Sequence, residues 1–294
     1  MEDIQHKVAA LSCFNDPQDV TALAGGLTNV NILVRDGGRK YVVRFGDDIP
    51  QHGVMRWNEL ALSKAASTAG FSPAVIYSEP GVLVLDFIEA KTLTEVDVRD
   101  SATLTRIVVL IAKMHREIGA HLMQPALAFW PYHVNRSYIA QLISDGSIHQ
   151  KSLPAMLAQN NQLEAATGPI EMVIGHNDLL AANILDDGKR LWLIDWEYGG
   201  FTSPLFDLAG LASNNGLSET QERMMLAQYF DQDADAQWRG YCAFKCSSLM
   251  RETLWSMTSE IHSDIDADYG AYTAENMDKL TSALAEFSQI QGLK

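Results

Sequence analysis

Apolar positions follow two rhythms along this chain, short alternating runs before residue 89 and helical spacing over most of the remaining sequence. Near the start, Ile4, Val8 and Leu11 recur on one helical face until Asn15-Asp16-Pro17 breaks the pattern, which predicts a short N-terminal helix. Val20–Leu23, Asn29–Arg35, Lys40–Phe45, Ala74–Tyr77 and Val82–Phe87 then read as strands. Gly25-Gly26, Asp36-Gly37-Gly38 and Glu79-Pro80-Gly81 separate them with residues that favour turns. A helix over Met55–Ala69, closed by Gly70, is inserted among them.

Beyond Asp86-Phe87-Ile88-Glu89, the segment Ala90–Leu93 reads as a connector. Residues Thr94 to Pro169 are helical in pattern, with Leu104, Ile107, Val108, Ile111 and Met114 on one face and His115 ending it. Phe129–His133 is an aromatic, proline-interrupted loop expected to pack between helices. Short strand-like runs follow at Met172–Ile174, Ile184–Leu185 and Leu191–Ile194, the last two joined by an Asp186-Asp187-Gly188-Lys189 turn. Another helix starts at Pro204, and Gln237–Lys294 is again helical. The expected fold class is α+β in two lobes: residues 1–88 a small antiparallel sheet with one helix, residues 89–294 larger and mainly helical.

Composition removes some functions. The formal charge of −15 opposes non-specific binding to nucleic acid or anionic membranes, because both are rich in phosphate. MEDIQHKVAA lacks a basic stretch followed by an apolar one, and no apolar run is long enough to cross a bilayer, so a cytoplasmic protein without membrane insertion is expected. The cysteines, Cys13, Cys242 and Cys246, form no even disulfide framework; the last two, a helical turn apart, are expected to be buried apolar side chains.

Chemistry concentrates in residues 172–200, MVIGHNDLLAANILDDGKRLWLIDWEYGG. His176, Asp178 and Asn183 follow one strand and Asp195 ends another, so a compact loop can gather two carboxylates and an amide around one point. Phosphoryl transfer needs such a group: one carboxylate to take the proton of the attacking hydroxyl, an amide oxygen and a second carboxylate to hold Mg²⁺ on the phosphates. Asp178, Asn183 and Asp195 repeat the spacing of the protein-kinase catalytic and metal-binding residues. With Trp196-Glu197-Tyr198 after the metal-binding position, the segment closely resembles the choline/ethanolamine kinases, a branch of the family that includes the aminoglycoside phosphotransferases.

That resemblance covers most of the chain and implies a protein-kinase-like fold with ATP bound between the lobes. It implies Asp178 as the catalytic base and Asn183 and Asp195 as Mg²⁺ ligands. Arg44, mid-strand among apolar residues, needs a buried partner, and Glu59 on the following helix is the candidate; choline kinases resemble this chain in using Arg there to clamp phosphates. The turn with Gly25, Gly26, Thr28 and Asn29 is placed where the fold covers the phosphates, and Phe87 and Ile88 where backbone groups carry the adenine. Asp207 matches an aspartate that braces the catalytic loop. Trp255, Tyr269 and Tyr272 resemble the aromatic lining of the choline site, with Glu197 and Tyr198 beside them; Glu252 stands where some choline kinases have a second tryptophan, and a carboxylate there favours a primary ammonium.

The expected activity is ATP-dependent phosphorylation of a small amino alcohol, choline or ethanolamine. Other readings stay open: a kinase of an aminoglycoside, whose ammonium groups Asp264, Asp266 and Asp268 would serve, a thiamine kinase, or a catalytically silent nucleotide-binding regulator. A homodimer is the one assembly expected.

Overall fold

The computed structural model describes residues 2–23, 29–231, 234–263, 265 and 267–292. Helix α1 (Glu2–Ala9) precedes strands β1 (Gln18–Ala22), β2 (Val30–Asp36) and β3 (Arg39–Phe45). Helix α2 (Arg56–Thr68) then leads to β4 (Val75–Glu79) and β5 (Val82–Asp86). The five strands form one antiparallel sheet in the order β1-β2-β3-β5-β4. Arg44 therefore sits on a strand paired on both sides, opposite Asn31 and Leu83, rather than at an edge. Val8, Leu11 and Phe14 pack with Ile32, Val34, Tyr41, Val43 and Val84 in a small core of their own.

The inserted helix matches its expected span to within a residue at each end, with Met55 and Ala69 as caps. Its packing is less obvious from sequence. Ala61, Leu62, Ala65 and Ala66 join the large core of the C-terminal part, not the small core of the sheet. Small side chains permit this close approach: a Cβ added at Gly199 would lie 3.0 Å from Leu62 Cγ.

The remainder is mainly helical. After β6 (Lys91–Thr92) come α3 (Glu95–Arg99), α4 (Ser101–Glu117), α5 (Pro131–Ser144) and α6 (Leu153–Ala166). Thr94 and Asp97 form a capping box on α3, and Asp100 caps α4, whose predicted apolar face is buried. Strands β7 (Val173–Gly175), β8 (Ile184–Asp186), β9 (Leu191–Leu193) and β10 (Gly200–Thr202) precede α7 (Pro204–Asn215) and α8 (Glu219–Phe230). Two long helices, α9 (Ala234–His262) and α10 (Tyr269–Gly292), complete the described chain. The short strands make a β6-β8-β9 sheet and a β7-β10 pair, all antiparallel. Strand β10 has no apolar run to announce it. It exists because Gly200 faces Gly175 in register, where a Cβ on Gly200 would fall 2.4 Å from the Leu127 carbonyl oxygen.

Candidate active site

The segment between β7 and β8 is held by a buried carboxylate. Asp207, in the first turn of α7, accepts the backbone N–H groups of His176 (2.8 Å) and Asn177 (2.6 Å), while His115 Nε2 lies 2.9 Å away. Burial opposes ionisation of Asp207, but hydrogen bonding and charge from His115 and His176 outweigh it and hold the carboxyl below its ordinary range. His176 donates from Nε2 to the Ile194 carbonyl (2.8 Å), and Asn177, in the left-handed conformation at φ +64°, donates to the Tyr198 carbonyl (2.9 Å). The two halves of the segment are thereby tied together.

Asp178 and Asn183 then face each other. Asn183 Nδ2 donates to the Asp178 carbonyl (2.9 Å) and lies 3.3 Å from its Oδ2. Burial pushes the Asp178 carboxyl up to about 8; Arg251 opposes the shift, and Glu252, Asp195 and Glu197 add to it. Asp195 follows β9 with φ +69° and accepts from Arg44 NH2 at 2.7 Å. Arg44 reaches Glu59 through NH1 at 2.5 Å, and that carboxylate is 2% exposed.

Glu197, whose carboxyl is pushed up by burial and by Asp195, lies on the same side: its Oε2 is 3.0 Å from Asn29 Nδ2, 3.4 Å from Arg56 NH1 and 3.5 Å from Arg44 NH2. Arg56 also binds Glu59 at 2.6 Å. Arg56 was missed from sequence because a cation opening a helix usually faces solvent, and its partners Glu59 and Glu197 are brought to it by the fold. Gly25, Gly26 and Thr28 lie outside the described residues. At the connector, the Phe87 N–H is bonded to the Lys40 carbonyl (3.1 Å) and Lys40 Nζ lies over the Phe87 ring, with Ile88 half-buried beside it.

Oxygen donors from Asn183 and Asp195 suit a hard cation. Among the described residues no group of three or more His, Cys, Asp or Glu side chains is assembled to hold an ion unaided. One amide oxygen and one carboxylate fit Mg²⁺, a hard ion able to take its remaining ligands from phosphate and water.

On the opposite side of Asp178 lie the residues of α9 and α10. Trp255, 6% exposed, donates to the Tyr198 hydroxyl at 3.1 Å. It meets Tyr269 (centroids 6.0 Å) and Tyr272 (6.4 Å) edge to face, and His52 at 5.1 Å. The three predicted aromatics are thus brought together at ring-contact distance. Glu252 Oε1 accepts from the Tyr272 hydroxyl (2.7 Å) and Oε2 from Arg251 (2.8 Å). Tyr198 and Glu197 also line a cavity of about 320 Å³ with His52, Asn58, Phe129 and Tyr138. Burial, then the charges of Arg251 and His262, push His52 down to about 4, so it is neutral there. Asp268 is spent on capping α10, accepting from Ala271 N at 2.9 Å, and Asp264 and Asp266 lie outside the described residues. Sequence reasoning did not find Arg251 or His52; the only signal for Arg251 was a charged pair inside an otherwise apolar and small-residue stretch of α9.

Residues 19–244 match the model of the phosphotransferase enzyme family. The chain belongs to that family. Among curated relatives of this phosphotransferase, protein LicA of Haemophilus influenzae is 24% identical over 271 residues, covering 89% of this chain and 79% of LicA. A probable ethanolamine kinase of Arabidopsis thaliana is 23% identical over 292 residues, covering 86% of this chain and 76% of its own. A crystal structure of a choline/ethanolamine kinase family protein from Mesorhizobium loti superposes on the phosphotransferase with a TM-score of 0.80 at 23% identity, covering 98% and 96% of the two chains. The α+β fold, with its antiparallel sheet first and helices after and the kinase-like architecture that the resemblance implied, is the fold of this phosphotransferase.

Proposed function

We propose that this phosphotransferase moves the γ-phosphoryl group of ATP to the hydroxyl of a small amino alcohol, choline or ethanolamine. The observation that carries the reading is the juxtaposition of Asp178 with Asn183 on one loop, while Asp195, after the next strand, is clasped by a sheet arginine that Glu59 holds in place. The names of its relatives, which include ethanolamine and choline/ethanolamine kinases, support the acceptor class. In this reading residues 1–88 and 89–294 are the two lobes. Arg44, oriented by Glu59, clamps the phosphates; Phe87 and Ile88 carry the adenine, chiefly through Ile88 because the Phe87 N–H is already bonded; and Gly25, Gly26, Thr28 and Asn29 cover the phosphates.

Asn183 and Asp195 would hold Mg²⁺, which when bound would offset the charge of the phosphates. Asp178 orients the acceptor hydroxyl and takes its proton. The hydroxyl oxygen forms a bond to Pγ as the bridging Pγ–O bond breaks, and that electron pair leaves on ADP. Trp255, Tyr269 and Tyr272 with Tyr198, Glu197 and Glu252 receive the ammonium end, using ring faces and nearby carboxylates. A coupled ADP-release assay with choline, ethanolamine, thiamine and kanamycin tests the assignment. Turnover with choline or ethanolamine is expected to exceed that with the other two, and none with either amino alcohol would overturn the reading.

A further inference from the structure

Arg251 sits mid-way along α9, 5% exposed, carrying a charge that no accessible pH removes. Its guanidinium is packed among residues already assigned to the site, Asp178, Tyr198 and Glu252. Its NH1 bonds Glu252 at 2.8 Å and lies 3.7 Å from Asp178 Oδ1, and its Cζ is 4.3 Å from the centroid of the Tyr198 ring. The Asp178 distance exceeds a hydrogen bond, so Glu252, not Asp178, is its bonded counter-ion. Nε and NH2 are buried without a hydrogen-bond partner among the described residues. Glu252, by contrast, already accepts at both oxygens, from Tyr272 and from Arg251. Beside what Glu252 offers an ammonium, donor capacity is therefore left next to Asp178, and a cation's ammonium cannot use it.

A hydroxyl held by Asp178 at roughly 2.6–3.2 Å stands close to this guanidinium, and once phosphorylated it carries anionic oxygens into the same space. The residues after Asp178 are Leu179 and Leu180, so the loop itself supplies no cation for them. Arg44 and Arg56 are engaged by Glu59, Asp195 and Glu197 on the other side. Resting on the phosphotransfer reading above, we propose that Arg251 is a further catalytic residue, whose guanidinium binds the phosphoryl group as it arrives on the acceptor oxygen. The contact is made to the transferred group and not to the alcohol, so it strengthens along the reaction.

The test compares wild type, Arg251→Lys and Arg251→Met, each checked for an unchanged thermal melt. Steady-state kinetics with choline and ethanolamine are paired with calorimetric titration of phosphocholine, phosphoethanolamine and the free alcohols in the absence of nucleotide. Arg251→Met is expected to lower kcat by roughly 100-fold or more, and to weaken phosphomonoester binding at least about tenfold more than it weakens alcohol binding. Arg251→Lys should recover part of both losses, since it restores a charge without the planar fork. Should Arg251→Met unfold, the lysine variant still reads out the split. Phosphomonoester binding equal to wild type in the variants would overturn the proposal, as would a rise in alcohol KM alone, or a change confined to the pH profile. A wild-type protein that binds the phosphomonoesters through Arg251 yet turns over neither alcohol would overturn the function proposed above and leave this site standing.

Discussion

Asp178 is the side chain on which opposing electrostatic effects meet. Burial and three neighbouring carboxylates favour its neutral form while Arg251 favours the charged one, and the carboxyl ends up at about 8. A folded-state value above the ordinary carboxylate range means that the unliganded protein is favoured below that range and loses this contribution as pH rises through about 8. Asp178→Asn should therefore melt at a higher temperature than wild type at pH 8, with the difference vanishing near pH 4 in a calorimetric pH series. The same variant should lose about 10²–10⁴-fold in kcat while retaining nucleotide binding in a titration. For wild type, kcat/KM should climb tenfold per pH unit below about 8, because only the ionised base accepts the proton. That Asp178 and Asn183 meet on one loop and that Arg44 pairs with Glu59 was readable in the sequence from type and spacing. Arg251 was not, because apart from Glu252 its neighbours in space, Asp178 and Tyr198, come from the β7–β8 and β9–β10 segments, and only the fold brings this arginine of α9 to them.

Elements place these groups through a few close approaches. Helix α2 presents Glu59 to Arg44 while its alanine face packs into the large core, so the helix links the sheet to the C-terminal part. Asn58 strengthens the link, donating to the Gly199 carbonyl (2.9 Å) and accepting from Leu127 N (2.8 Å). Strand β10 pairs with the strand that launches the Asp178 loop, and its Gly200 has a carbonyl where a side chain would go. Gly200→Ala should cost about 1–3 kcal/mol by overpacking, seen as a lower midpoint in urea, and should slow turnover because β7 shifts with it. Boundaries of α2 and of the five-stranded sheet were legible from turn residues and periodicity. Strand β10 was not legible, since one glycine, one phenylalanine and one threonine are too short a run to carry a strand pattern, and its partner β7 lies far away in the chain.

Across the whole molecule, the Arg44, Arg56, Glu59, Asp195 and Glu197 network joins the five-stranded sheet to the loop after β9. Removing one partner of a buried pair leaves the other uncompensated, so Glu59→Ala should destabilise the fold by about 3–5 kcal/mol and raise the apparent KM for ATP, measurable by melting and steady-state kinetics. A non-hydrolysable ATP analogue with Mg²⁺ should raise the melting temperature in proportion to its saturation; chelating the metal should abolish most of that gain and the turnover. By itself the sequence determined the strands of the first sheet, the inserted helix and the close spacing of Asp178 and Asn183 on one loop, because turn residues, apolar period and short-range spacing are local properties. Only the tertiary structure decided that Asp195 and Glu197 join Glu59 around Arg44, how tightly Tyr269 and Tyr272 close on Trp255, and that Arg251 stands beside Asp178. Those are contacts between segments far apart in the chain, and burial, which sets both their strength and the protonation of the acid between them, exists only once the chain has folded.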